Sequence, residues 1–264
     1  MSFPVYIPIG PWRVHPHLLF ESLSYFIGFR VYLALRRRAG DTVIVPMRWA
    51  TLSCAAAGAA LGARGLAWLA NPAATWDAQS VLLGGKTIVG GLIGGLIGVE
   101  LVKLGMGLKR STGDLYAPAL AVAIAIGRIG CFLTGVEDDT SGTPTSLPWG
   151  MDLGDGIHRH PTQLYELVVL ALMVVPLWRL ARRTMAVSIE PDPTGRLREG
   201  DAFKAFMVGY MALRVVVDFV KPYPAVFLGL GTLQWAAVLT IAYYAGDIWR
   251  WSRPVPQTAD SVVR

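Results

Sequence analysis

Charge is the scarcest commodity in this chain. Only 16% of its 264 residues are charged against 53% hydrophobic, a balance that excludes an ordinary soluble domain. Cysteine is nearly absent. Its two copies, Cys54 and Cys131, fall in different apolar runs, which argues against a disulfide framework or a cysteine metal site and predicts buried structural thiols. The opening MSFPVYIPIGPWRVHPHL has neither a basic start nor a small-residue cleavage site, so it does not read as a signal peptide. The glycine-rich GGKTIVGGLIGGLIG lies in an apolar run and follows no strand, which excludes a dinucleotide-binding loop. Its Gly90, Gly94 and Gly98 repeat at the spacing that lets helix backbones approach closely in lipid.

What is present is long hydrophobic runs. A spanning helix needs about 20 mostly apolar residues, and seven segments qualify, at residues 17–36, 48–70, 82–104, 115–134, 162–180, 203–220 and 227–249. The expectation is an all-α integral membrane protein of seven transmembrane helices. Residues 1–254 form the membrane domain and 255–264 a C-terminal tail.

The basic residues divide unevenly between the connecting segments. Sixteen of the 24 lysines and arginines fall between runs 1 and 2, 3 and 4, and 5 and 6, or after run 7, against five in the intervening segments. The positive-inside rule therefore places the N-terminus outside and the C-terminus in the cytoplasm. Residues 135–161 become an extracytoplasmic loop and 180–202 a cytoplasmic one. This asymmetry accounts for a basic protein without invoking nucleic acid, which is not expected as a partner. Membrane lipids are.

A charged side chain inside a bilayer is costly and signals a partner or a function. Counting along each run at about 1.5 Å per residue puts Arg128 of AIAIGRIGCFLTG and Arg214 of GYMALRVVVDF in the outer half of the membrane. Glu21 and Tyr25 share that level. Tyr210 and Asp218 flank Arg214 at i−4 and i+4, on one helix face, and RHPTQLYE brings Arg159, His160, Gln163, Tyr165 and Glu166 to the outer end of run 5. These residues read either as interhelical pairs, Arg214 with Asp218 and Arg128 with Glu21 or Glu166, or as a site for a bound anion. The planar guanidinium fork suits phosphate and carboxylate, whereas helix packing in lipid needs only small residues.

Several of these stretches together resemble the bacterial prolipoprotein diacylglyceryl transferases. The likeness lies in VHPHLLFESLSYFIGF, GGLIG, GRIGCFLTG, SLPWG, RHPTQLYE and GYMALRVVVDFVKPYP, in that order over most of the chain. The resemblance implies a multi-pass enzyme of the bacterial cytoplasmic (inner) membrane. Such an enzyme moves a diacylglyceryl group from phosphatidylglycerol to the lipobox cysteine thiol of a preprolipoprotein signal peptide and releases glycerol-1-phosphate. It implies Arg128 and Arg214 as the groups that hold the lipid phosphate, with Tyr210 beside them. Tyr25, Arg159, Gln163, Tyr165 and Glu166 are the expected substrate-binding residues. No metal or organic cofactor is expected.

The chain departs from that pattern at three places. Val89 stands where the family carries a histidine before the glycine pair, Cys131 replaces an asparagine after GRIG, and Val136 stands at an acidic position. Valine accepts no proton, so another group must activate an acceptor thiol. His15, His17, His158 and His160 all fall near the outer ends of runs 1 and 5. The alternatives are a transferase with a different acceptor and a non-catalytic paralogue that binds an anionic phospholipid.

Overall fold

The computed structural model describes residues 3–39, 45–71, 85–187 and 190–253. Residues 82–84 of the third expected span, 188 and 189 of the expected cytoplasmic loop, and the expected tail 255–264 lie outside them. The described chain is helical, and a helix occupies each of the seven apolar segments: α1 (Pro16–Ala39), α2 (Val45–Ala70), α3 (Ile88–Gly105), α4 (Ala117–Thr134), α5 (Thr162–Ala186), α6 (Asp201–Val217) and α7 (Thr232–Tyr243), followed by a short α8 (Ala245–Ser252). Five segments, carried by α1 to α5, are long and apolar enough to cross a membrane.

The largest differences from expectation come at the ends of elements. α3 begins at Ile88, where the Thr87 hydroxyl accepts from the Gly90 amide and caps the first turn. The last apolar run starts late because Phe227 and Leu230 close a turn through Leu228 and Gly229, both at positive φ, so α7 begins only at Thr232. Two small antiparallel hairpins add strand to the helical frame. They are β1 (Ile7–Ile9) with β2 (Trp12–Val14), and β3 (Met151–Asp152) with β4 (His158–Arg159).

Small residues set how the helices meet. α2 and α3 lie so close that a Cβ on Gly94 would run into the Gly58 carbonyl, and one on Gly90 into the Gly62 carbonyl, a contact only glycine permits. The α2–α3 pair leans on α7, while α1 packs on α4, α4 on α5, and α5 on α6. A Cβ on Gly130 of α4 would lie 2.7 Å from Phe20 Cβ and 3.3 Å from the Pro16 carbonyl. This glycine lets the start of α1 settle against the end of α4.

Two polar assemblies close the ends. The loop after α4 is stitched to the entry of α5 and to the end of α6, with the Gly142 amide donating to the His160 carbonyl (3.0 Å) and the Thr143 amide to the Val220 carbonyl (2.8 Å). At the far end, the buried Asp114 carboxylate accepts from the amides of Gly200 (2.7 Å), Ala202 (2.9 Å) and Phe203 (3.3 Å). An anion from another segment thus caps the start of α6, where the helix dipole favours negative charge.

Candidate functional site

Glu166 is the hub of the charged residues. It stands one turn into α5, fully buried, because Pro161 starts that helix and the Thr162 hydroxyl ties it to the Thr140 carbonyl at 2.6 Å. Its Oε2 accepts from Arg128 Nε (2.9 Å) and Nη2 (2.5 Å) of α4. Its Oε1 accepts from Arg214 Nη1 of α6 and from Lys221 Nζ just beyond α6, both at 2.9 Å. The Tyr210 hydroxyl approaches Oε2 at 3.4 Å.

The geometry of α6 explains why its groups converge. Tyr210 and Arg214 are one turn apart, and a 3-10 turn over Asp218–Val220 tightens the helix end, so Asp218 and Lys221 continue the same face. Arg214 Nη2 lies 2.6 Å from Asp218 Oδ1. That contact is close but poorly aligned: among the described residues, neither Asp218 oxygen, nor Arg214 Nε, has a directed hydrogen bond. Buried polar atoms without partners are rare enough to call for a ligand or water. A cleft lined by Asp218, Tyr223, Gly231, Thr232 and Gln234 opens beside them.

All five charged groups are at most 5% exposed, so they face the interior of the bundle and each other. Three cations against two carboxylates leave one surplus positive charge. Of the pairings read from the sequence, Arg214 with Asp218 is present, and of the two partners offered for Arg128 it is Glu166, not Glu21, that it meets. Arg214 Nε adds a buried donor of the kind suited to an anion.

The other expected site residues lie outside this hub. Gln163 is fully buried one turn before it, donating to the Ser141 hydroxyl at 3.4 Å, and its own Oε1 has no partner among the described residues. The Tyr165 hydroxyl accepts from Trp149 Nε1 (2.9 Å) and contacts His160 Nδ1 (3.2 Å), holding the SLPWG loop over the start of α5. Arg159 pairs with Asp155 within that loop at 2.7 Å. Tyr25 faces outward, 70% exposed, and bonds Glu21 Oε1 at 3.3 Å. Val89 is buried in the apolar core.

Lys221, one of the five cations of the intervening segments, is not among the expected site residues; its position three residues after Asp218, in VVVDFVKPYP, is the signal that marks it. His17 is one of four candidate histidines in the sequence. The structure sets His17 Nδ1 2.7 Å from Asp138 Oδ1, and a nitrogen of His17, the Cys131 Sγ and an oxygen of Asp138 all lie within 4.8 Å of one another. Cys131 Sγ is in turn 3.8 Å from Arg128 Nη1, which joins this trio to the charged hub.

Comparison with known proteins yields a consistent result. Residues 4–251 match the model of a family described as prolipoprotein diacylglyceryl transferase. The chain is 31% identical to the phosphatidylglycerol–prolipoprotein diacylglyceryl transferase of Bordetella parapertussis over 273 residues, covering 92% of this chain and 93% of that protein. It is 31% identical to the protein of the same name from Cupriavidus necator, with 95% and 93% covered. Against the one from Methylococcus capsulatus it is 32% identical, with 88% and 86% covered. No solved structure matches.

Proposed function

Because the chain belongs to the prolipoprotein diacylglyceryl transferase family, we propose that it transfers a diacylglyceryl group from phosphatidylglycerol to the lipobox cysteine thiol of a preprolipoprotein. In this reading it is a seven-span protein of the bacterial cytoplasmic membrane, its N-terminus and loop 135–161 outside and its C-terminus inside. The partners are the lipid and the signal peptide, with no nucleic acid. The observation that carries the reading is the buried hub with one surplus positive charge. A phosphodiester bears one negative charge, and its arrival makes the site neutral.

Roles for the residues follow from their geometry. Glu166 holds Arg128, Arg214 and Lys221 in place before the lipid arrives, a preorganisation that spares the cost of gathering three cations during reaction. Arg214 Nε, which has no partner among the described residues, and Arg128 Nη1, whose neighbour is a sulfur at 3.8 Å, are the donors offered to phosphate. When the acceptor sulfur attacks the glyceryl carbon, the carbon–oxygen bond to phosphate breaks and negative charge grows on the departing oxygen. Charge-assisted guanidinium hydrogen bonds to phosphate strengthen as that charge grows. Tyr210 supplies a neutral donor at the same point. Gln163, Tyr165 and Arg159 line the approach beneath the loop, and Tyr25 meets the acyl chains from the outer face of α1.

The test supplies purified protein, in detergent containing phosphatidylglycerol, with a lipobox peptide. A diacylglyceryl mass increment on the peptide supports the reading, and intact peptide beside tight lipid binding overturns it in favour of a lipid-binding paralogue. Arg128→Lys and Arg214→Lys keep the charge that Glu166 needs but remove the fork. Each is expected to lower transfer at least about 100-fold, the scale of losing one oriented donor to a developing anion, with unfolding temperature little changed.

A further inference from the structure

We infer that His17, Cys131 and Asp138 form a binding site for a thiolate-preferring divalent metal ion of the zinc class, whose open coordination position takes the thiol of the acceptor peptide. The metal site stands on its own geometry, and the thiol's role rests on the transfer reading above.

Three different side chains present one soft, one borderline and one hard donor to a common point. Sulfur, imidazole nitrogen and carboxylate oxygen within 4.8 Å of one another match the ligand set of zinc. A tetrahedral ion with bonds of about 2.0 to 2.3 Å holds its ligand atoms roughly 3.3 to 3.7 Å apart. The His17–Asp138 contact of 2.7 Å has to open, and any separation near the 4.8 Å limit has to close by about 1 Å to reach tetrahedral spacing. The His17 side chain, 43% exposed, has room to turn toward Asp138, 6% exposed, and the buried Cys131. Sulfur with imidazole favours zinc over magnesium or calcium.

A second observation supports the same assignment. Metal-bound histidine usually gives its other ring N–H to a carboxylate, which fixes the ring. With Nδ1 turned to the metal, His17 Nε2 lies 3.7 Å from Glu21 Oε2, one helical turn on, a carboxylate that closes to hydrogen-bond length with a small turn of the exposed ring. Backbone positions hold the arrangement as well. Gly130 permits the close approach of α1 that sets His17 beside Cys131, and the 3-10 turn Gly135–Asp138 at the end of α4 brings Asp138 back over that helix.

Three protein ligands leave one position open, as in catalytic zinc sites. A thiol bound there loses its proton to solvent, since coordination deprotonates thiols outright. The sulfur lone pair then forms the carbon–sulfur bond to the glyceryl carbon, and the electron pair of the broken carbon–oxygen bond leaves on the phosphate oxygen held at Arg128. Cys131 Sγ lies 3.8 Å from that arginine, so nucleophile and leaving group meet across one residue. This supplies the thiol activation that Val89 cannot.

The experiment titrates cobalt(II) into full-length protein in detergent and follows the near-ultraviolet sulfur-to-cobalt charge-transfer band. Wild type and the control Cys54→Ser should take up one equivalent with the band. Cys131→Ser should lose the band, and His17→Gln and Asp138→Asn should bind at least about 10-fold more weakly, with unchanged unfolding temperatures showing that the fold persists. A wild type that binds no better than Cys131→Ser, or shows no band, overturns the site. Adding a lipobox peptide should intensify the band and its cysteine-to-serine analogue should not; equal spectra overturn the thiol's role. A thiol-dependent spectrum without any mass increment on the peptide leaves the metal site standing and defeats the transfer reading instead.

Discussion

At the scale of single residues, Glu166 has the largest predicted effect on stability. It neutralises three buried cations that belong to three segments of the chain, and removing one partner of a buried ion pair typically costs about 3 to 5 kcal/mol because the other charge is left stranded. Glu166→Gln is therefore expected to lower the unfolding temperature in detergent far more than Glu137→Gln on the half-exposed turn nearby. Equal effects would show that the cations find other compensation. The residue scale is also where sequence reading was strongest. Arg128, Tyr210 and Arg214 are legible from depth and helical spacing alone, because a charge in an apolar run is conspicuous. The central place of Glu166 is not, since depth gives a level in the membrane and says nothing of which helix stands at the middle. The trio of His17, Cys131 and Asp138 was less legible still. More than a hundred residues separate its first member from the other two, and their meeting depends on a glycine contact that no periodicity reports.

At the scale of elements, glycines decide which helices touch, and two of them in α4 make a contrast. A Cβ at Gly127 meets nothing within 4 Å, whereas one at Gly130 meets Phe20 and the first residues of α1. Gly127→Ala should be neutral or stabilising by up to about 1 kcal/mol through helix propensity. Gly130→Ala should cost about 1 to 3 kcal/mol by overpacking and should shift the Cys131 environment, which thiol reactivity of the two purified variants reports. If both alanines behave alike, the α1–α4 approach is not set by Gly130. Helix positions were well read from hydropathy and helix ends poorly. Burial of apolar surface is written along the whole run, while an end depends on a single cap such as Thr87 or a single turn such as Leu228–Gly229.

At the scale of the whole molecule, the proposed orientation follows from the distribution of basic residues and is directly measurable. With the native cysteines replaced, Ser146→Cys in the loop before α5 should react with a membrane-impermeant reagent added to intact cells, and Glu190→Cys after α5 should react only once the membrane is opened. The reverse pattern would invert the topology. The surplus positive charge of the hub has a consequence at this scale as well. A bilayer presents every headgroup to the same protein, and zwitterionic phosphatidylethanolamine carries its own ammonium, which at this site would sit among Arg128, Arg214 and Lys221. Like charges at such separations in a buried site repel strongly, Glu166 is already bonded to all three cations, and Asp218 lies against Arg214. On the proposed function, the hub then serves as a filter on the surrounding membrane, admitting lipids whose only headgroup charge is the phosphate. In nanodiscs of mixed composition, lipid copurifying with the protein should be enriched in phosphatidylglycerol over phosphatidylethanolamine, and Lys221→Met, with one cation fewer, should erase that preference. Discrimination of this kind lets an enzyme work in a membrane where its donor lipid is the minority species.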